Sequence, residues 1–280
     1  MDKKKLFREL ESFQETQLKE EYKNLSFTVV LVQPESAGNI GSLARIMKNF
    51  NFKKLIIFNP IESRENIVSH ESQGFAMHAK DILLGAEIIE IENDADHIIE
   101  FGKFIKQFDL VLATTAKGKR YTNVKRLAIF PQDLTIPASE KPLKIAILLG
   151  KESRGLTNEE VELSDINLRI PTGNEYPTLN LSHAGGIILY EIFKKINVVN
   201  IGRGENPVLL ADKEDRVVLY RFIDGLLEKV KTQEYKKDMA YDAFKNIFER
   251  AIMSKKELSL ITGLFSKLDS IMKDREVYED

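Results

Sequence analysis

The fold of this chain is decided by one stretch, FTVVLVQPESAGNIGSLAR, which occupies residues 27–45. Its first six residues, Phe27 to Val32, are all apolar or β-branched, which is typical of a parallel strand buried on both faces. A short loop through Pro34 follows. An apolar stripe at positions i, i+3, i+4 and i+7 then begins at Ile40, as on one face of a helix. The stretch therefore predicts a strand, a loop and a helix in the order that builds an open α/β sheet.

The same alternation of strand and helix continues to about residue 196. We predict further strands at residues 54–58, 86–91, 109–114, 144–149 and 166–170, and helices at residues 74–84, 94–108 and 181–196. A further helix is expected after Thr157, because Thr157 and Glu160 have the spacing of a capping box. Repeated alternation of this kind predicts an α/β fold, with a mostly parallel sheet and helices on both faces.

The two ends of the chain differ from this central part. Residues 1–25 carry apolar side chains near helical spacing, which predicts an N-terminal helical extension. Residues 26–200 form the expected α/β domain, and the glycines and proline of residues 200–207 predict a linker. Beyond the linker no strand is predicted, and helical periodicity covers residues 212–230, 238–250 and 255–272. Residues 208–280 are therefore expected to form a small all-helical C-terminal domain.

Composition excludes several classes of protein. The 280 residues carry a net charge of −2, with 43% hydrophobic and 30% charged residues, as in ordinary globular proteins. No apolar run is long enough to cross a bilayer, and the first residues do not have the apolar core of a signal peptide. Cysteine is absent, and the four histidines do not have metal-ligand spacing. We expect a cytoplasmic protein that binds neither a metal nor a membrane.

One segment is basic although the whole chain is slightly acidic. Residues 110–132 contain no Asp or Glu, and the basic side chains within them are Lys117, Lys119, Arg120, Lys125 and Arg126. A local positive charge of this kind is what meets nucleic-acid phosphates. A solvated lysine-rich loop is the alternative.

Polar residues follow three of the predicted strands. Asn39 follows the first strand, Glu152 follows the strand that ends at residue 149, and Asn180 closes the loop after the last strand. Since ligands of open α/β sheets bind at the carboxyl ends of the strands, these loops are candidates for a binding site. Asn39, Asn180 and Ser182 are also natural helix N-caps, and capping alone would explain them.

Two further residues of these loops have a predicted orientation or role. Arg45 lies about 140° around the helix from Ile40, so its side chain should point away from the core. Gly150 leaves a buried strand, and glycine permits the close approach of a ligand to the backbone. The alternatives are a solvated arginine and an ordinary turn between strand and helix.

Taken in order, the three segments resemble the three motifs of the SpoU group of SPOUT methyltransferases. The matching residues are Asn39, Gly41 and Arg45 in the first motif, Gly150, Glu152 and Gly155 in the second, and Pro177, Thr178, Leu179, Asn180 and Ser182 in the third. The resemblance covers about residues 27–196. Residues 47–50, 155–160, 175–177 and 243–251 resemble in particular the TrmJ-like tRNA methyltransferases.

This resemblance implies a SPOUT-like fold whose C-terminal part forms a trefoil knot. It implies that S-adenosyl-L-methionine binds in the knot, held by Thr114, Thr115, Ala116, Gly150, Ile170, Pro177, Thr178 and Leu179. Members of the group share each active site between two subunits. The resemblance therefore implies a homodimer in which Arg45 of one chain lies near the cofactor of the other.

The implied reaction is 2′-O-ribose methylation of RNA, foremost of tRNA at nucleotide 32 of the anticodon loop. The implied catalytic residues are Arg45, Asn39, Glu152 and Asn180. Arg45 is the group's candidate base. Because arginine stays protonated, we expect Arg45 to grip a phosphate or the developing alkoxide. Asn39 and Asn180 are expected to orient Arg45 and the ribose, and Glu152 to fix the substrate or the loop.

Three alternatives remain open at this point. The same chemistry could act on ribosomal RNA or on another tRNA position. A catalytically silent RNA-binding protein on this scaffold is the second alternative, although a decayed site should have lost at least one of the four polar residues. A generic nucleotide-binding α/β protein is the third, although the chain has no glycine fingerprint for phosphate. For the implied reaction, the basic loop from Lys117 to Arg126 is expected to hold RNA phosphates, and Tyr121 within it to stack on an unpaired base, with ordinary packing as the alternative for Tyr121.

Overall fold

The computed structural model describes residues 16–92, 94–116, 128–173, 175–200, 202–203, 206–230 and 233–276. The described chain divides into two compact units. The larger unit comprises residues 18–198, and the other contains the residues that follow 198 together with residues 16 and 17. Each helix of the described part is too short or too polar to cross a membrane.

The larger unit is built on a seven-stranded sheet. The strands of the chain up to residue 199 are β1 (Thr16–Leu18), β2 (Leu25–Val32), β3 (Lys54–Phe58), β4 (Glu87–Ile89), β5 (Leu110–Thr114), β6 (Ala128–Ile129), β7 (Leu143–Leu149), β8 (Ile166–Leu168) and β9 (Asn197–Val199). The order in the sheet is β4-β3-β2-β7-β5-β8-β6, and all six neighbouring pairs are parallel. The predicted parallel sheet is confirmed. The two-residue edge strand β6 was not predicted, because so short a strand has no readable period.

Helices cover both faces of this sheet, as predicted. They are α1 (Ala37–Asn49), α2 (Arg64–Ile67), α3 (His70–Ala76), α4 (Lys80–Leu84), α5 (His97–Ile105), α6 (Asn158–Glu162) and α7 (Leu181–Ile196). Alternate residues of β2 enter two separate hydrophobic clusters, because successive strand side chains point to opposite faces. Leu31 packs in the cluster that contains residues of α1 and α7, and Val32 packs in the cluster that contains Phe101 of α5.

The strand order brings two of the candidate loops together. β2 and β7 are neighbours, with Leu31 opposite Leu149, and the sheet extends in opposite directions from this pair. Such a point, where the strand order reverses, is where ligands bind in open α/β sheets. The loops that begin at Gln33 and Gly150 therefore leave the sheet side by side.

The predicted helix over residues 1–25 is wrong for its described part, residues 16–25. Thr16–Leu18 is a strand, Glu20–Tyr22 is a 3-10 turn, and β2 already begins at Leu25. The backbone N–H of Lys19 donates to the carbonyl of Ile196 at 2.9 Å, so a contact distant in sequence replaces local helical bonding. Residues 1–15 lie outside the described part.

The single helix predicted over residues 74–84 is also wrong. The chain forms α3, then a 3-10 turn at Met77–Ala79, and then α4. Met77 has a left-handed φ of 52°, which interrupts the helix although the apolar pattern continues through it.

The smaller unit contains the three helices predicted near the C-terminus. These are α8 (Lys213–Lys229), α9 (Glu234–Arg250) and α10 (Lys255–Glu276). Buried residues of this unit, including Leu219, Ile223 and Leu258, form a hydrophobic cluster of their own. Within the predicted linker, the short strands β10 (Gly202–Arg203) and β11 (Asn206–Pro207) pair as an antiparallel hairpin.

Candidate active site

The first two candidate loops are bonded to each other at four points. The backbone N–H of Glu35 donates to Glu152 Oε2 at 2.8 Å, and Lys151 Nζ donates to Gln33 Oε1 at 2.9 Å. The carboxylate of Glu35 accepts from the backbone N–H of Ser153 at 2.8 Å and from its hydroxyl at 2.7 Å. These two bonds from Ser153 hold the pKa of the Glu35 carboxyl below its ordinary value. Sequence reasoning missed Glu35 and Ser153, because no local pattern pairs them.

A chain of side-chain hydrogen bonds then joins all three candidate loops. Asn39 Nδ2 donates to Glu152 Oε1 at 3.0 Å, and Asn180 Nδ2 donates to Asn39 Oδ1 at 2.9 Å. Asn180 Oδ1 accepts from the backbone N–H and the hydroxyl of Ser182, at 2.8 and 2.7 Å. We call the series Glu152–Asn39–Asn180 the relay. It brings together three of the four residues that the motifs implied as catalytic.

The relay exists because Asn39 is not a helix cap. Helix α1 begins at Ala37 and is capped by Ser36, whose hydroxyl accepts from the backbone N–H of Asn39. The prediction that Asn39 is an N-cap is therefore wrong, and its amide is left to bridge the two loops. Asn180 is the N-cap of α7, as predicted, whereas Ser182 lies inside that helix.

Arg45 stands apart from the relay. It lies on α1 six residues beyond Asn39, which corresponds to about 9 Å along a helix axis. Its side chain is exposed, so the predicted orientation away from the core is confirmed. Within the described part of the chain, no hydrogen bond or ion pair holds its guanidinium. Asn39 and Asn180 therefore do not orient Arg45 by direct contact within the chain.

A cavity of about 250 Å³ opens beside the relay at the carboxyl ends of β5, β7 and β8. All eight residues that the motifs implied as cofactor-binding lie on its wall: Thr114, Thr115, Ala116, Gly150, Ile170, Pro177, Thr178 and Leu179. Glu152 lines it as well. Its further lining includes the apolar residues Leu149, Leu156, Leu168 and Ile188 and the polar residues Lys151, Ser153, Arg154 and Asn158.

The remaining residues that line the cavity differ in whether they could have been identified from the sequence. Lys151, Ser153 and Arg154 lie inside the second motif and could have been read from it. Leu156 and Ile188 look like ordinary core residues, and only the tertiary structure shows that they face a cavity.

Two glycines shape the loop that forms one wall of the cavity. A Cβ on Gly150 would lie 2.2 Å from the backbone nitrogen of Leu156 and 2.3 Å from the carbonyl carbon of Gly155. Gly155 itself has a left-handed φ of 69°, and its N–H donates to the carbonyl of Lys151 at 2.8 Å. The close approach expected at Gly150 is therefore an approach of the chain to itself, which folds the loop into a tight turn.

The helix that follows this loop is anchored by a buried carboxylate. Glu160 is 1% exposed, completes the predicted capping box with Thr157, and contacts His97 Nε2 at 2.7 Å. This contact between α5 and α6 was not predicted, since it joins residues 63 positions apart.

Two further expectations concern the basic segment and the binding of a metal. The basic side chains Lys117, Lys119, Arg120, Lys125 and Arg126 lie outside the described residues. Among the residues that are described, no three His, Cys, Asp or Glu side chains cluster in a way that could hold a metal ion.

The fold and the site define a class of protein: a parallel α/β protein with a cavity at the carboxyl ends of β5, β7 and β8 and a carboxylate–amide relay beside that cavity. The model of the SpoU rRNA methylase family matches residues 26–190, which is more than half of the chain. The chain therefore belongs to the SpoU methylase family.

Relatives extend the likeness beyond the family match. A tRNA (cytidine-2′-O-)-methyltransferase TrmJ of Methanocaldococcus jannaschii is 35% identical over 86% of this chain and 99% of its own length. The enzyme of the same name from Sulfolobus acidocaldarius is 30% identical over 87% of this chain and 94% of its own length. The crystal structure of TrmJ from Z. mobilis ZM4 has 22% identity and a TM-score of 0.50, covering 86% of this chain and 98% of that one. That structural likeness concerns the fold alone.

Proposed function

We propose that this protein methylates the 2′-hydroxyl of a ribose in tRNA, with S-adenosyl-L-methionine as the methyl donor. The observation that carries the proposal is the relay, which ties all three family motifs together beside one cavity. The names of the two archaeal relatives support the choice of tRNA and of a cytidine as target. We infer the anticodon loop, at nucleotide 32, from the TrmJ-like residues of the chain.

The cavity suits S-adenosyl-L-methionine in the chemistry of its wall. The apolar side chains of Leu149, Leu156 and Ile188 offer a surface for an adenine ring. The tight turn at Gly150 presents backbone groups to the ligand, and Thr114 to Ala116 and Pro177 to Leu179 would hold it from the other walls. When bound, the cofactor supplies an electrophilic methyl group on a sulfonium.

Glu152 acts as a positioning residue in this proposal. One of its oxygens accepts from Asn39 and the other from the backbone N–H of Glu35, so both oxygens are already engaged. A carboxylate held in this way fixes the two loops. Asn39 and Asn180 continue the same support to the start of α7.

In this proposal, Arg45 supplies a positive charge for the RNA or for the reacting hydroxyl. It is exposed and without a partner among the described residues, so it is available to an RNA phosphate or to the alkoxide that develops as the hydroxyl loses its proton. Its distance from the relay along α1 supports a homodimer, in which Arg45 of one chain would serve the cavity of the other. The basic side chains between Lys117 and Arg126 would hold further phosphates.

Other features belong to the same proposal. They are the trefoil knot in the C-terminal part of the α/β domain, the domain bounds of residues 26–200 and 208–280, the all-helical character of the latter domain, and a cytoplasmic location.

Transfer of labelled methyl from S-adenosyl-L-methionine to bulk tRNA tests the proposal. We expect label on a ribose of the anticodon loop, and at least about a hundredfold lower rate for Arg45→Ala, because one preorganised charge contributes this much to a transition state. Arg64→Ala is the matched control, since Arg64 is also an exposed helical arginine of the larger unit. Cofactor binding without label on tRNA would exclude tRNA, and ribosomal RNA would then be the substrate to assay.

A further inference from the structure

We propose that Glu35 is a positioning residue that couples the cavity wall to helix α1, the helix that carries Arg45. This inference rests on the proposed function and deepens it. It assigns a role to a residue outside the three motifs.

Glu35 is bound to the cavity wall through both its backbone and its side chain. Its carboxylate accepts both hydrogen-bond donors of Ser153, and its own N–H donates to Glu152. Ser153 and Glu152 both line the cavity. Movement of this wall is therefore transmitted to Glu35 through three hydrogen bonds of 2.7–2.8 Å.

On its other side, Glu35 is joined directly to α1. The next residue, Ser36, is the N-cap of this helix, and Ala37 is its first residue. The helix is 13 residues long and regular, and it packs through its buried residues Leu43 and Met47. A shift of its first turn would therefore be carried along the helix to Arg45. Only the covalent link between Glu35 and Ser36 separates the wall contacts from the helix cap.

A carboxylate makes the strongest contact at this position, because two donors converge on it and each bond involves a charged acceptor. Each Glu35 oxygen accepts one of the Ser153 donors. Glutamine has the same shape and still accepts from the Ser153 N–H, and the Ser153 hydroxyl can turn to accept from its NH₂ group, so both contacts become weaker bonds between neutral groups. Glu35→Gln should therefore loosen the Ser153 contact while leaving the backbone bond to Glu152 in place.

Glu62 provides a matched control within the same region. Its carboxylate also supports the start of α1, by accepting from the backbone N–H of Ala37 at 3.2 Å. Its other partners are Ser63 and Asn66, and neither lines the cavity. Glu62→Gln removes a carboxylate from the start of α1 without touching the wall.

Calorimetric titration with S-adenosyl-L-methionine and tRNA methylation rates test the inference on Glu35→Gln, Ser153→Ala, the double variant and Glu62→Gln. We expect Glu35→Gln to raise the cofactor Kd and to lower kcat, each roughly tenfold, because two hydrogen bonds to a charged group become bonds between neutral groups. Ser153→Ala should show a smaller effect in the same direction. The two effects should not multiply in the double variant, because both substitutions weaken the same contact, and Glu62→Gln should bind the cofactor like the wild type.

Other outcomes distinguish this inference from the proposed function. If the Glu35→Gln and Ser153→Ala effects simply multiply in the double variant, or if Glu35→Gln binds and turns over normally, the coupling does not exist. Should Glu35→Gln not fold, Ser153→Ala decides the matter, since it removes only the hydroxyl bond. A wild-type protein that neither binds the cofactor nor methylates RNA would instead refute the proposed function.

Discussion

The amide of Asn39 is the central link of the relay, because it donates to Glu152 and accepts from Asn180. Asn39→Asp preserves the shape of the side chain and replaces the donating NH₂ group with a charged oxygen. With the side chains in place, this oxygen would lie 3.0 Å from Glu152 Oε1. The substitution therefore turns a hydrogen bond into a contact between two negative charges.

The size of this repulsion follows from the distance. Two unit charges at 3.0 Å repel by about 1.4 kcal/mol in bulk water and by about 5.5 kcal/mol at an effective dielectric constant of about 20. Asn39 and Glu152 are both half-buried, so the true cost lies between these limits. Asn39→Ala also loses the hydrogen bonds, at about 1–3 kcal/mol, but adds no repulsion. Since about 1.4 kcal/mol is a factor of ten, Asn39→Asp should be at least about tenfold slower than Asn39→Ala near pH 8.

Initial rates of tRNA methylation between about pH 5.5 and pH 8.5 measure the effect. The deficit of Asn39→Asp relative to Asn39→Ala should shrink as the pH falls, because two close carboxylates can share one proton. Thermal unfolding of both variants controls for loss of fold. Equal rates for the two variants at every pH would refute the reasoning, since the relay would then carry no charge-dependent contact.

Two further predictions concern the cavity wall and the smaller unit. Gly150→Ala would set a Cβ 2.2 Å from the backbone nitrogen of Leu156, so it should weaken binding of S-adenosyl-L-methionine roughly tenfold or more in calorimetry. Gly74→Ala should bind normally, because its Cβ would meet no atom within 4 Å beyond its chain neighbours and the backbone of its own helix, and equal affinities of the two variants would contradict the prediction. Burial and the hydrogen bond to Glu249 raise the pKa of Tyr220 from 10.0 to about 12. Between these two pH values the folded state keeps a proton that the unfolded state releases. The free energy of unfolding therefore falls as the pH rises through this range. Tyr220→Phe should make the alkaline decline of the melting temperature shallower, and a decline as steep as that of the wild type would show that Tyr220 does not contribute to it.

Much of the fold could be predicted from local patterns. The continuous apolar run of residues 27–32 and the 3.6-residue period that follows Ile40 predict a buried strand and an amphipathic helix, and both are present. The capping box at Thr157 and the cap at Asn180 were also correct. These features are readable because each depends on residues within one or two turns of one another.

The same reasoning failed wherever a distant contact competed with a local preference. Asn39 has the chemistry of a cap, yet Ser36 takes that role and Asn39 turns to residues 113 and 141 positions away. The segment that includes Lys19 has a helical pattern, but its backbone bonds to the end of α7 instead.

The sequence by itself determined the α/β class, the positions of most strands and the residue types at the three loops, because periodicity and capping are local properties. Only the tertiary structure decided that the Glu35 carboxylate accepts two hydrogen bonds from Ser153. It alone also decided that Glu152, Asn39 and Asn180 form one relay and that Arg45 stays outside it. Those facts depend on which strands are neighbours in the sheet. The strand order arises from burying both faces of the whole sheet at once, and no short stretch of the chain encodes it.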